Sequence, residues 1–408
     1  MSPTAAAIHD PFAMRRAGRE LLSLAFIDAR NRTLRWLSAF AGADVSAARA
    51  EFDPPLWLIG HVGWFQERAI ARNVQRARGA RGTRAATLAS IEPRADAWFD
   101  PSVSAREQRW RDTDVTDAHL RDYLAATFDT TLELLDKAEE SDAGLHLFRL
   151  VLSCEDRVAE LLAALAQAAG IGSPALKELW PIWPSRVRRE ALWFGAQTWT
   201  LGSPAGGFVP DNERGAHDEP VPEFEIDAQP VQWSQFAEFV EDGGYDERDW
   251  WSEAGWAWIE RNERRAPRYV EQLGSAVLAR RAGQVQRVAT AQAVAHVSWY
   301  EADAWCRWAK RRLATEVEWE IAASGGSRGF VWGDVHEWVA GRARRWSDEA
   351  PSTPAPSVCD VPQALWPSQR VMRGASVMTV PRLKHPKARL FAAPDSDTAF
   401  VGFRSCAV

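Results

Sequence analysis

Apolar side chains recur every three to four positions through most of the first 170 residues, which is the spacing of amphipathic helices. The pattern predicts helices over residues 15–41, from Pro54-Pro55 onward, and over about 117–137 and 143–169. A polar segment rich in arginine and alanine, residues 75–116, separates the second helix from the third. Four such helices with one long connection predict a four-helix bundle.

The fourth predicted helix carries a continuous apolar stripe with Cys154 and Val158 at its centre. The other members of the stripe are Leu147, Leu150, Val151, Leu161, Leu162 and Leu165. His61 lies in the corresponding stripe of the second helix, among Trp57, Leu58, Trp64 and Phe65. These two stripes place a histidine and a cysteine in the predicted core of the bundle.

The pattern changes after residue 170. Residues 171–190 contain Pro174, Pro181 and Pro184 and predict a linker. Short strand-like pieces at 193–201 and 224–226 follow, with helices near 233–242 and 299–310 and an irregular proline-rich loop from 351 to 367. Without βαβ alternation, the second half is predicted to be α+β. The predicted organisation is a flexible N-terminus (1–12), the bundle (13–170), the linker (171–190) and a second domain (191–408).

Composition narrows the classes of function. A net charge of −6 argues against a nucleic-acid partner, because proteins that bind nucleic acids usually present a basic surface. No run of about 18 apolar residues predicts a membrane span, and the N-terminus does not have the pattern of a signal peptide. The four cysteines form no CxxC pair, so a reduced, cytoplasmic setting is expected. The 22 tryptophans, most of them after residue 180, suggest aromatic-lined clefts.

Several segments of the second half resemble one known fold. HVSWYEADAWCRWAKRRLATEVEWEIAA (296–323) resembles the hallmark of the formylglycine-generating-enzyme fold, an irregular relative of C-type lectins. Residues 370–386 and 399–406 resemble its closing strands. Residues 208–220 and 239–258 resemble the branch fused to a DinB-like helical bundle, which contains the ergothioneine and selenoneine synthases. In the N-terminal half, residues 51–73 and 88–100 look like the bundle of the selenoneine synthases in particular.

The resemblance implies an oxidoreductase that uses non-haem Fe²⁺ and O₂ to join sulfur or selenium to hercynine (trimethylated histidine). Family members hold the iron with one histidine on the second helix and two from an H-x3-H-x-E motif on the fourth. His61 matches the first ligand, while Cys154 and Val158 stand at the other two positions and Glu160 matches the glutamate. Two of three ligands are thus replaced, which predicts impaired or lost catalysis.

The resemblance also implies a hercynine-like ligand in a cleft between the domains. Trp338, Asp397 and His336 are the expected contacts, although His336 and neighbouring positions depart from the family pattern. The Asp-Asn-Glu run at 211–213 is a candidate structural Ca²⁺ site, with an ordinary turn as the alternative.

Three functions remain open from the sequence. The first is an ergothioneine or selenoneine synthase whose iron is held by His61 and two unidentified groups. The second is a pseudoenzyme that binds a small molecule or regulates an active paralogue. The third uses Cys154 as a nucleophile or as a copper or zinc ligand. The plain structural alternatives are a His61 hydrogen-bonded to Glu160 or Asp156, and a Cys154 that serves as a small core residue.

Overall fold

Helices form the first part of the chain, and the strands of the sheets lie after residue 190, in the computed structural model of the protein. The structure describes residues 6–408 except 85–87, 112–113, 173–175, 177, 275, 326–328, 350–351 and 353–355. The helices are α1 (Pro11–Arg15), α2 (Arg19–Phe40), α3 (Pro55–Gln66), α4 (Ala95–Phe99), α5 (Arg106–Arg109), α6 (Asp117–Asp136), α7 (Asp142–Ala169), α8 (Trp233–Glu241), α9 (Glu253–Asn262), α10 (Trp299–Trp308) and α11 (Glu316–Ser324).

The four long helices α2, α3, α6 and α7 begin and end close to the predicted positions. Helix α7 begins where the Ser141 side chain accepts a hydrogen bond from the amide of Gly144, and it ends at Gly170, whose φ of 68° suits a glycine. Helix α3 begins at Pro55 and continues into one π-helical turn, Glu67–Ala71. The predicted helix 15–41 begins later than expected, at Arg19, because residues 16–18 are not helical, and the separate short helix α1 ends at Arg15.

The helices share a core with the sheet domain. Fully buried members of this core on the helices include Phe26, Trp64 and Leu162, and the same hydrophobic cluster contains Val335 and Phe400 from the second half. The two parts therefore pack directly on each other. The predicted DinB-like identity of the bundle remains a prediction.

The second half is built from small sheets joined by irregular segments. Its strands are β1 (Leu192–Phe194), β2 (Gln197–Leu201), β3 (His217–Val221), β4 (Phe224–Ile226), β5 (Val270–Gln272), β6 (Val277–Arg281), β7 (Gln284–Val288), β8 (Arg312–Leu313), β9 (His336–Arg342), β10 (Arg370–Gly374), β11 (Arg389–Ala392), β12 (Val401–Phe403) and β13 (Ser405–Cys406). Two four-stranded sheets have the orders β1-β4-β13-β8 and β11-β10-β9-β12. The remaining strands form the hairpin β2-β3 and the three-stranded sheet β5-β6-β7.

Strand β9 lies inside its sheet, antiparallel to β10 and parallel to β12. It carries two predicted site residues, His336 and Trp338, which point to the same face because they are two positions apart. Helices α8 and α10 fall where the sequence predicts them, and α10 begins with a capping box formed by Ser298 and Glu301. Helices followed by sheets confirm the α+β prediction in its general form.

Two predicted segments, the flexible N-terminus and the linker, lie partly outside the residues that the structure describes. Residues 1–5 of the predicted flexible N-terminus are not described, and α1 begins at Pro11 within the predicted segment. Four positions of the predicted linker, 173–175 and 177, are also not described. Within the described part of the chain, no helix is long and apolar enough to cross a membrane.

Candidate metal centre

His61 is completely buried because nearly every side of α3 is apolar and packed. Its Nδ1 lies 2.9 Å from the carbonyl oxygen of Phe99, and its Nε2 lies 3.4 Å from the amide nitrogen of Val358. Since the amide can only donate, Nε2 is the acceptor and Nδ1 carries the hydrogen that Phe99 accepts. Burial lowers the pKa of His61 to about 4, so the ring is neutral at pH 7.

The predicted partners of His61 were wrong. Glu160 and Asp156 bond elsewhere, and His61 bonds instead to two backbone groups that the sequence did not single out. Its ring stacks on Trp57, with ring centroids 5.4 Å apart. Both nitrogens of the imidazole are therefore in contact with the protein itself, although the bond to Val358 is long.

Cys154, one of the two positions where the family motif has histidine, meets a second cysteine. Its Sγ lies 3.2 Å from Sγ of Cys359 and 3.4 Å from Oγ of Ser357. The neighbouring Cys359 thiol and burial together hold the pKa of Cys154 well above its usual value. Cys154 is thus a protonated thiol at neutral pH, so it can act as a nucleophile only after another group has taken its proton.

Val158 lies one turn further along α7, with only 1% of its surface exposed, in the hydrophobic core of the bundle. It has no atom that can bind a metal. Among the residues that the structure describes, no group of three or more His, Cys, Asp or Glu side chains could hold a metal ion.

Glu160 joins the bundle to the sheet domain. Its carboxylate accepts hydrogen bonds from His336 Nε2 at 2.8 Å, Ser376 Oγ at 2.5 Å and Thr379 Oγ1 at 2.8 Å. Burial alone would raise the pKa of Glu160, but His336 and the two hydroxyl groups lower it to about 2. The structure therefore brings together two predicted site residues, Glu160 and His336.

The other two predicted ligand contacts are engaged in different places. Trp338 is fully buried, and its indole donates to the carbonyl of Val297 at 2.8 Å. Asp397 forms ion pairs with Arg264 and with Arg268, the latter at 3.0 Å. Arg268 also reaches Glu51 of the bundle at 2.5 Å. Asp397 thus belongs to an interdomain ion-pair network, and Trp338 belongs to the core.

The candidate Ca²⁺ residues are also bonded to protein groups. Asp211 accepts from the amide and hydroxyl of Ser352, both at 2.7 Å, and lies 3.2 Å from Arg214. Glu213 pairs with Arg15 at 2.8 Å. Guanidinium groups at both carboxylates oppose a cation at this position.

Sequence reasoning missed Cys359, Ser357, Ser376 and Thr379. Cys359 lies 205 positions from its partner in an irregular loop, where periodicity gives no signal. Ser376 and Thr379 lie within residues 370–386, which the sequence assigned only to the closing strands of the fold, so nothing marked them as partners of Glu160.

Known proteins are similar to this one over most of the chain. Residues 194–350 match the model of the sulfatase-modifying factor enzyme 1-like domain. A protein named hercynine oxygenase from Mycolicibacterium thermoresistibile is 33% identical over 331 residues, which cover 78% of this chain and 70% of that protein. Another of that name from Mycobacterium tuberculosis is 28% identical, with 94% of this chain and 98% of that protein covered.

Proposed function

The chain belongs to the hercynine oxygenase family, and from that premise we propose that it is a non-catalytic member. In this proposal, contacts between the bundle and the sheet domain replace the family's iron centre. One observation carries the proposal: the chain's own groups occupy the positions that the resemblance assigns to iron ligands. His61 bonds to Phe99 and Val358, and Cys154 faces Cys359.

The side chains present do not fit non-haem iron. Such centres are built from imidazole and carboxylate ligands with open positions for substrate and O₂. Val158 supplies no donor, and Cys154 supplies a buried, protonated thiol already in contact with Cys359 and Ser357. His61 is left as one neutral imidazole, which cannot hold the metal by itself. No reaction step through iron is therefore assigned to this chain.

The expected ligand contacts support the same proposal. A trimethylammonium group is usually held by open aromatic faces or by an unpaired carboxylate. Trp338 is enclosed in the core, and Asp397 is neutralised by Arg264 and Arg268. The chain keeps the fold of the family but not the residues of its iron site. This combination suits a regulatory partner of an active paralogue, which needs the fold to bind the paralogue but does not need catalysis.

Family membership itself favours a second candidate, an active synthase. In that case His61 and two unidentified groups bind iron, and hercynine receives sulfur or selenium. The likeness of residues 51–73 and 88–100 to the selenoneine synthases would then favour selenium.

Oxygen uptake separates the two candidates. The full-length protein, loaded anaerobically with Fe(II), is given hercynine together with a thiol or a selenosugar, and O₂ consumption is followed. The Mycolicibacterium thermoresistibile relative, treated identically, is the positive control. The proposal predicts no hercynine-dependent uptake by this chain. Sustained uptake with product formation would establish the second candidate instead.

A further inference from the structure

Two thiols from the two halves of the chain meet at the side of α7. Cys154 Sγ and Cys359 Sγ are 3.2 Å apart, and the thiol of Cys359 also lies 3.4 Å from the carbonyl oxygen of Cys154. A disulfide bond requires about 2.05 Å between the sulfurs, so closure needs a movement of roughly 1 Å. We propose that Cys154 and Cys359 are a redox-active pair that a low-molecular-weight disulfide oxidises to an interdomain disulfide.

The segment that carries Cys359 is suited to this small movement. Residues 356–362 form neither helix nor strand, so no ladder of backbone hydrogen bonds resists a shift. The segment is nevertheless held beside α7 without the thiols, because Asp360 forms an ion pair with Arg157 at 3.0 Å. The amide of Val358 adds a further tie to the bundle, since it donates to Nε2 of His61 at 3.4 Å. The two sulfurs are therefore kept close in the reduced protein.

The two thiols differ in access. Cys359 is half-buried, whereas Cys154 is buried. A small oxidant can therefore reach Cys359 first, and Cys154 is placed behind it to resolve the intermediate. Redox-sensitive cysteines are solvent-accessible and often lie next to a second cysteine that resolves the intermediate.

The chemistry is two successive thiol–disulfide exchanges. The Cys359 thiolate attacks one sulfur of the oxidant RSSR, breaks its S–S bond and releases RS⁻, which leaves a mixed disulfide on Cys359. Cys154 then gives its proton to the released thiolate and attacks Sγ of Cys359, expelling the second RS⁻, which takes a proton from solvent. Two electrons pass from the protein to the oxidant, and the products are the protein disulfide and two RSH.

Oxidation would act on the candidate centre directly. The bond would fix Cys154 to the segment whose Val358 amide contacts His61. The bundle and the sheet domain would then be joined covalently at this point. The pair would thus report the thiol–disulfide balance of its surroundings, whether or not the chain binds iron.

The direct test is a thiol map of the full-length protein. Reduced, desalted protein is incubated with excess glutathione disulfide, quenched in acid, alkylated and digested for mass spectrometry. We expect loss of the mass of two hydrogen atoms, one peptide pair linking Cys154 to Cys359, and reversal by dithiothreitol. Free alkylated thiols at both positions after this treatment would overturn the proposal.

Variants distinguish the order of the two steps. Cys154→Ser should accumulate a stable glutathione adduct on Cys359, because the resolving thiol has gone. Cys359→Ser should keep all its remaining thiols free. The matched control is Cys306→Ala, which removes another buried cysteine and should form the Cys154–Cys359 link as the unaltered protein does. An adduct on Cys359 that persists with Cys154 present would contradict the role of Cys154.

Thermal unfolding gives a second readout. Oxidation should raise the midpoint of the unaltered protein and of Cys306→Ala, because a bond across a long loop restricts the unfolded chain. It should leave the midpoint of Cys359→Ser unchanged.

The same thiol map on protein unfolded by denaturant tests whether the fold brings the thiols together. A Cys154–Cys359 disulfide that appears only in the unfolded protein would show that the folded thiols do not react, and would reject the proposal.

Discussion

At the scale of single residues, Glu160 shows most clearly that a residue of the family motif is kept while the residues around it have changed. The family motif predicts a glutamate beside the metal ligands, and in this chain Glu160 pairs with His336 of β9 and with two hydroxyl groups. Its pKa of about 2 is below the usual 4.5, so its ionised form is stabilised by folding. Glu160 now acts as a junction between the two halves of the chain.

Glu160→Gln should destabilise the protein. The shift in the pKa of Glu160 corresponds to about 2 to 3 kcal/mol, given that 18% of its side chain is exposed. A lowered folded-state pKa gives stability that is present above pH 4.5 and is lost as the pH falls toward 2. Urea unfolding at pH 7 should show the loss, and Glu160→Gln should have a shallower acid dependence in that window. An equal loss from Glu133→Gln, an exposed position on α6, would contradict this assignment.

At the scale of elements, helical periodicity predicted α2, α3, α6 and α7 well, because a stripe of apolar residues must face a core. The same reasoning could not find what α7 packs against at its centre. Cys359 lies in an irregular loop, and the contacts of Asp397 with Arg264 and Arg268 span more than 100 positions. Such partners are set by tertiary packing, which a single sequence does not reveal.

Restoring the two histidines on α7 tests whether the backbone of the family site survives. In Cys154→His with Val158→His, two imidazoles one turn apart would face the position of His61, and we expect iron binding to rise well above that of the unaltered protein. Metal per chain is measured after anaerobic loading with Fe(II). The control is Cys154→Ala with Val158→Ala, which opens the same space without adding ligands. If both variants bind equally little, the segment 356–360 has closed the site as well.

At the scale of the whole molecule, the two halves are held as one unit by a shared core and by buried ion pairs. Arg382 donates to Asp156 of α7 at 2.6 and 2.8 Å and to Asp28 of α2 at 2.8 Å. Arg382 and Asp156 are each almost fully enclosed, so neither can exchange its partner for water. The helical part and the sheet domain, which were expected to be fused, thus pack together as one structure. The domain boundaries predicted from the sequence did not indicate this packing.

Arg382→Gln should therefore lower the free energy of unfolding by about 3 to 5 kcal/mol, because it leaves the Asp156 carboxylate buried without its main partner. The free energy of unfolding from denaturant titration measures this loss, and it should affect helix and sheet signals together. Arg32→Gln is the matched control: Arg32 contacts the same Asp156 at 3.5 Å but is partly exposed, so its loss should cost much less. Similar losses in both variants would show that Arg382 has no special role.

The central claim is that the contacts of His61, Cys154 and Val158 have replaced the iron centre of a hercynine oxygenase. Metal content measures this most directly. The chain and an active hercynine oxygenase are purified side by side, loaded anaerobically with Fe(II), passed through a desalting column and analysed for iron. The account predicts iron far below one atom per chain here and close to one in the relative. One tightly held iron per chain, lost in His61→Ala, would contradict it.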